Sequence, residues 1–198
     1  MTMDTRKPEQ QRAKTKRDAI HEATVELLLS EGMRAVTHRQ VAAKADVPVG
    51  SIGYYFSSRE KLIKSCFERV HGKQTAILEN ALADPQVLTD RRALAAAVLD
   101  LTTSGYPDRV RSIISATIDA EREGPELQKM VIQHFSEAVK GIDQLLDYAG
   151  LTEVKPQAML GALVGSAIVV AGWDKPVVET TIGGMVQFLE MTASNTPQ

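Results

Sequence analysis

Residues 36–63 read VTHRQVAAKADVPVGSIGYYFSSREKLI. Thr37, followed three residues later by Gln40, forms a capping box, T-x-x-Q, which opens a short helix through Val41, Ala42 and Ala45. Asp46–Val47 reads as a tight turn. Pro48 fits the first position of the next helix, where its missing N–H is no loss. That helix runs to about Tyr55. Ser57 and Glu60 form a second box, S-x-x-E, and start a long helix with Leu62, Ile63 and Phe67 along one side. Two short helices joined by a brief turn make a helix-turn-helix.

The second short helix carries glycines at 50 and 53, each costing about 1 kcal/mol relative to alanine inside a helix. Three residues apart, they share a side. Ser51, Tyr54 and Tyr55 are interleaved with them, while Ile52 and Phe56 look inward with Val47 beside the turn. One surface is flat and bears hydroxyls, and the other is apolar and holds the helix to its neighbours. A helix laid in the major groove has that arrangement. Backbone N–H groups near its start and tyrosine hydroxyls suit phosphates. The preceding helix opens Thr37–His38–Arg39, a hydroxyl and two potential cations. Arg59 lies in the first turn of the long helix, where a positive charge opposes the helix dipole, and it is read as a phosphate contact.

Charge agrees with this placement. The chain of 198 residues has a net charge of -2, with 23 Lys or Arg against 25 Asp or Glu. Residues 1–64 hold 12 basic and 8 acidic residues, a balance of +4, which leaves 11 and 17 for residues 65–198, a balance of -6. A basic head on an acidic body assigns the polyanion to the head. Upstream, Ile20, Ala23, Leu27 and Leu28 recur at helical spacing from Lys14 to Glu31, and Gly32 is a stop.

Downstream the chain reads as further helices at about 89–103, 108–122, 125–148, 155–172 and 176–192. They are separated at Asp84–Pro85, Gly105–Tyr106–Pro107, Gly124–Pro125, Gly150 and Asp174–Lys175–Pro176. The expected fold is all-α: a helix-turn-helix domain over 1–64 and a larger helical domain over 65–198. Cys66 is the sole cysteine, so no disulfide forms within one chain, which suits a reducing cytoplasm. No signal peptide and no membrane partner are expected. The most apolar run, Met159–Trp173, is shorter than the roughly 20 residues of a span. The four histidines are scattered, and no phosphate loop, Cys-x-x-Cys or His-Glu-x-x-His pattern is present. The reading is a binding protein and not an enzyme, with no cofactor and no metal.

Residues 36–63 resemble the N-terminal domain of the TetR family of bacterial transcriptional regulators, and the motif match runs from Lys14 to Leu62. The rest resembles that family in length and helical plan. The resemblance implies that Thr37 caps the second helix and meets a phosphate, with Arg39 near the backbone. It places Pro48, Val49, Gly50 and Ser51 at the opening of the reading helix, Tyr54 and Tyr55 at its aromatic pair, and Arg59 at a position usually lysine. Asp46 stands where glycine is common and Gly53 where an aromatic is common. The resemblance further implies a homodimer on double-stranded operator DNA, with the last two long helices pairing between subunits, and release by a small molecule held in the larger domain. In those helices Leu160, Leu163, Val164, Ala167, Ile182, Met185, Val186 and Leu189 are apolar, and Gly161, Gly165 and Ser166 are small. Polar residues that interrupt apolar faces are the candidate effector contacts: Ser104, Tyr106, Ser115, Asp119, His134, Ser166 and Trp173. The acidic body favours a cationic or neutral effector. A DNA-binding regulator with no small-molecule switch, controlled by expression level or a protein partner, is the nearer alternative, and a small helical enzyme the remote one.

Overall fold

The computed structural model describes residues 6–120, 122–169 and 176–194. Among these the regular structure is helical: α1 (Arg6–Glu31), α2 (His38–Lys44), α3 (Val49–Tyr55), α4 (Arg59–Ala83), α5 (Pro85–Thr89), α6 (Arg91–Thr103), α7 (Val110–Ala120), α8 (Pro125–Tyr148), α9 (Pro156–Val169) and α10 (Val177–Ser194). Gly32 ends α1 at φ +84°, a left-handed conformation that costs glycine nothing, and a single 3₁₀ turn over Met33–Ala35 leads into α2.

The caps are nearly those expected. Thr37 caps α2, its hydroxyl accepting from the Gln40 N–H at 3.2 Å. The return half of the box is replaced: the Thr37 hydroxyl donates to Gln40 Oε1 at 3.0 Å, and the Thr37 N–H goes to the Ala35 carbonyl. Pro48 is the N-cap of α3 rather than its first helical residue. Ser58, not Ser57, caps α4, accepting from the Lys61 N–H, so the expected S-x-x-E box is out of register by one residue. Asp84 and Asp90 each cap a helix through a side-chain oxygen, and this splits off the short α5 ahead of α6.

Among the described residues two apolar cores form. Ile20, Leu27, Val41, Ile52, Phe56 and Leu62 unite α1–α4, and Ala116, Ala120, Leu127 and Val131 of α7 and α8 close the same core. Burying each of the larger side chains contributes about 1.5–3 kcal/mol. The second core joins α6, α8, α9 and α10 through Leu94, Val98, Leu145, Met159, Leu163 and Met185. Helix α4 runs through the expected 64/65 boundary without a break. Buried Gln74 on it donates to the Leu101 carbonyl at 3.0 Å, tying it to α6.

Asp46, where glycine was noted to be common, has φ +52°. Aspartate tolerates this conformation better than alanine does. Asp46→Ala is expected to lower stability by about 1 kcal/mol and Asp46→Gly to leave it within about 0.5 kcal/mol, read from urea unfolding midpoints.

Candidate nucleic-acid interface and ligand cavity

Helix α3 presents two unlike faces. Ile52 is fully buried, whereas Tyr54 is 84% exposed and Val49 51% exposed. A Cβ added at Gly50 or Gly53 would meet nothing within 4 Å, so both backbones lie bare on the surface. Tyr54 and Tyr55 meet edge to face at 5.2 Å, with Tyr55 half-buried against the head core and Tyr54 standing off it. A large amphipathic ring held outward beside bare backbone is a surface shaped for close approach to a groove. Beside it lie the exposed Thr37 and Arg39, together with Pro48, Gly50 and half-buried Ser51. His38 is half-buried, with Nε2 shielded from solvent and unpaired among the described residues.

Arg59 departs from its expected role. Its Nε donates to the Val36 carbonyl at 2.7 Å and its Nη2 to the Met33 carbonyl at 2.6 Å. Nη1 pairs with Glu123 Oε2 at 2.5 Å. Every face of the guanidinium fork is engaged inward, linking the approach to α2 with the turn between α7 and α8. It is a clamp, not a displayed phosphate ligand. A fork of fixed donors suits two carbonyls and a carboxylate at once, which a lysine does not match.

Behind α3, the buried His21 ring packs tilted against Phe56 with ring centres 5.4 Å apart, and its Nε2 lies 3.2 Å from Ser65 Oγ. Burial first, then the cations Arg69 and Arg17, hold the imidazole below its ordinary pKa. The unfolded chain therefore takes up this proton first. The neutral ring's contribution is complete above about pH 6.5 and is lost as pH falls toward the folded value. His21→Phe is expected to flatten the stability-versus-pH curve below about pH 6.5, measured by chemical denaturation across pH. Nearby, burial pushes the Cys66 thiol up to about 11, so it stays protonated at neutral pH.

Three of the effector candidates come together. Ser104, Tyr106 and His134 line one cavity of about 60 Å³ between α1, α4, α6, α7 and α8, with Phe67 and Ile113 among its apolar walls. Ser104 is buried, and its hydroxyl has no hydrogen-bond partner among the described residues. The other candidates do not join them. Ser115 is exposed, and neither it nor Asp119 lines this cavity. Ser166 faces α10, where a Cβ on Gly184 would fall 1.9 Å from its Oγ. Trp173 lies outside the described residues.

Comparison with known proteins places this geometry. Residues 20–66 match the family model for bacterial regulatory proteins, tetR family. The head of the chain, α2 and α3 with the adjoining ends of α1 and α4, is of the tetR family. A search of curated proteins gave no match. Among solved structures, a transcriptional regulator of the TerR/AcrR family from Aquifex aeolicus VF5 is similar at TM-score 0.67 and 15% identity, over 89% of this chain and 99% of that one. A TetR-like regulator from Rhodococcus sp. RHA1 is similar at 0.63 and 19%, over 91% and 97%. A transcriptional regulator from Saccharomonospora viridis in complex with choline is similar at 0.65 and 15%, over 88% and 95%. At these identities the likeness is one of fold.

The cavity also uses residues that the sequence did not single out. Thr102, Thr103 and Thr117 contribute to its wall, and their hydroxyls bond to carbonyls of their own helices. Beyond the shared wall of Val25, Leu29 and Tyr106 lies a wider cleft of about 290 Å³ that includes Lys73 and Arg109. A polarity interruption within an apolar stretch finds Ser104, but nothing in sequence spacing brings Lys73 to Tyr106.

Proposed function

We propose that the protein is a ligand-responsive transcriptional repressor that binds an inverted-repeat operator as a homodimer and is released by a small molecule. The carrying observation is the two-faced α3: Ile52 anchors it in the core, while Tyr54 and the bare backbone at Gly50 and Gly53 stand in solvent. Thr37, Arg39, Pro48, Val49, Gly50, Ser51, Tyr54 and Tyr55 are its DNA contacts in this reading. Dimerisation is assigned to α9 and α10. Ile168, Val169 and Met191 are exposed there, and Gly161, Gly165 and Gly183 have open space where a Cβ would stand. Gly184 and Ser166, by contrast, are already used in packing α9 on α10. A two-fold axis through this face gives two equivalent heads and therefore symmetric half-sites.

The ligand site in this reading is the cavity of Ser104, Tyr106 and His134. Its volume of about 60 Å³ is below the roughly 300–1,000 Å³ of a drug-sized site, so occupation requires the helices around it to move apart. Because α4 supplies Cys66 and Phe67 to the wall, that movement reaches the head directly. The same small volume favours the alternative of a regulator with no small-molecule switch. Footprinting on DNA upstream of the protein's own gene, with and without compounds that raise its melting temperature, tests the two. Inverted symmetry and loss of protection with a stabilising compound support the switch. Protection that survives saturation with every such compound supports the alternative. A protected region lacking two-fold symmetry contradicts the homodimer on an inverted repeat.

A further inference from the structure

We propose that the ligand is an anionic amphiphile, a carboxylic acid whose hydrocarbon part fills the cavity behind Tyr106 and whose carboxylate pairs with Lys73 and Arg109 in the cleft outside it. This rests on reading that cavity as the ligand site. Among the described residues the cavity wall contains no aspartate or glutamate. A cation entering it would be desolvated with no counter-charge, which is costly.

The cleft supplies the opposite sign. Lys73 Nζ donates to the Tyr106 hydroxyl at 3.0 Å and lies 4.8 Å from the centre of its ring. Among the described residues it has no carboxylate partner. Arg109 lines the same cleft, likewise without a carboxylate partner among them. The other charges there are largely committed: Glu26 pairs with Lys44 at 2.7 Å, and Arg69 pairs with Asp18. Glu22 is then set against two cations. Tyr106 belongs to both spaces, so a molecule reaching past its ring has its apolar end in the cavity and its polar end beside Lys73. The acidic surface of the body points toward cationic or neutral ligands, but the charges that line the entrance outweigh charges spread over the exterior.

The test is calorimetric titration of the full chain with octanoate, octanol and octylammonium, which share one hydrocarbon tail. Octanoate is expected to bind at least about tenfold more tightly than octanol, as for one charge-assisted pair, with octylammonium weakest. Lys73→Met and Arg109→Met should each reduce octanoate affinity and leave octanol unchanged. If octanol or octylammonium binds as tightly as octanoate, or if neither substitution weakens octanoate, the anionic assignment is overturned while the cavity remains a ligand site. If none of the three binds the wild-type protein, the cavity reading fails along with it.

Discussion

Gly50→Leu is expected to leave the protein folded and slightly more stable while removing specific operator binding. Gly50 is exposed in the first turn of α3, and a side chain there meets open space. Leucine is the better helix former by up to about 0.8 kcal/mol, so unfolding should move to the same or higher urea concentration. On DNA the added side chain fills the gap between backbone and groove. Affinity should fall toward the level for unrelated sequence, a loss of at least about a thousandfold. Fluorescence anisotropy on operator and scrambled duplexes measures both. Retained operator affinity would mean that this face does not read DNA. The opposite signs of the two effects make the test sharp, since a merely damaged fold lowers both quantities together.

Arg59→Ala carries the second large effect, and it falls on stability. The substitution leaves the Met33 and Val36 carbonyls without their donors and Glu123 without its counter-ion. A partly buried clamp of this kind is worth about 2–4 kcal/mol, below the value for a fully buried pair because both side chains keep some contact with solvent. Arg59→Lys should recover a minority of the loss, since an ammonium cannot span all three acceptors. Chemical denaturation gives the magnitude, and a double-mutant cycle with Glu123→Gln isolates the pair. The reverse pattern, in which Arg59→Ala keeps its stability and instead lowers the salt dependence of operator binding by about one phosphate, would return this residue to the DNA.

Local chemistry made much of the fold legible. Thr37 announces α2, Gly124–Pro125 opens α8, and the apolar pairing of Ile52 with Phe56 marks the inner side of α3. These signals act within one turn of helix, where sequence distance and spatial distance agree. The misreadings lie where they do not. Ser57 and Ser58 are adjacent hydroxyls of the same kind, and which one caps α4 depends on the path out of α3. Arg59 looks like a displayed cation until Glu123 arrives from the turn between α7 and α8. The cavity depends on helices from opposite ends of the chain, so Ser104 and His134 could be nominated by polarity but not joined. Ser115, on the same logic, faces solvent because α7 turns that side outward.

The unbroken α4 has a consequence in the arithmetic of levers. Its 25 residues at about 1.5 Å each make a rod of roughly 37 Å, with Arg59 at one end. Pivoting such a rod by about five degrees about its distal end carries the near end through roughly 3 Å, close to the 3.4 Å step between stacked base pairs. In the proposed switch, a cavity that opens by a fraction of a side chain thus produces a displacement on the scale of one base pair at the DNA. In the proposed homodimer, two such rods related by a two-fold axis would move oppositely, so each would contribute its own base-pair step to the mismatch between the heads and the fixed pitch of the double helix.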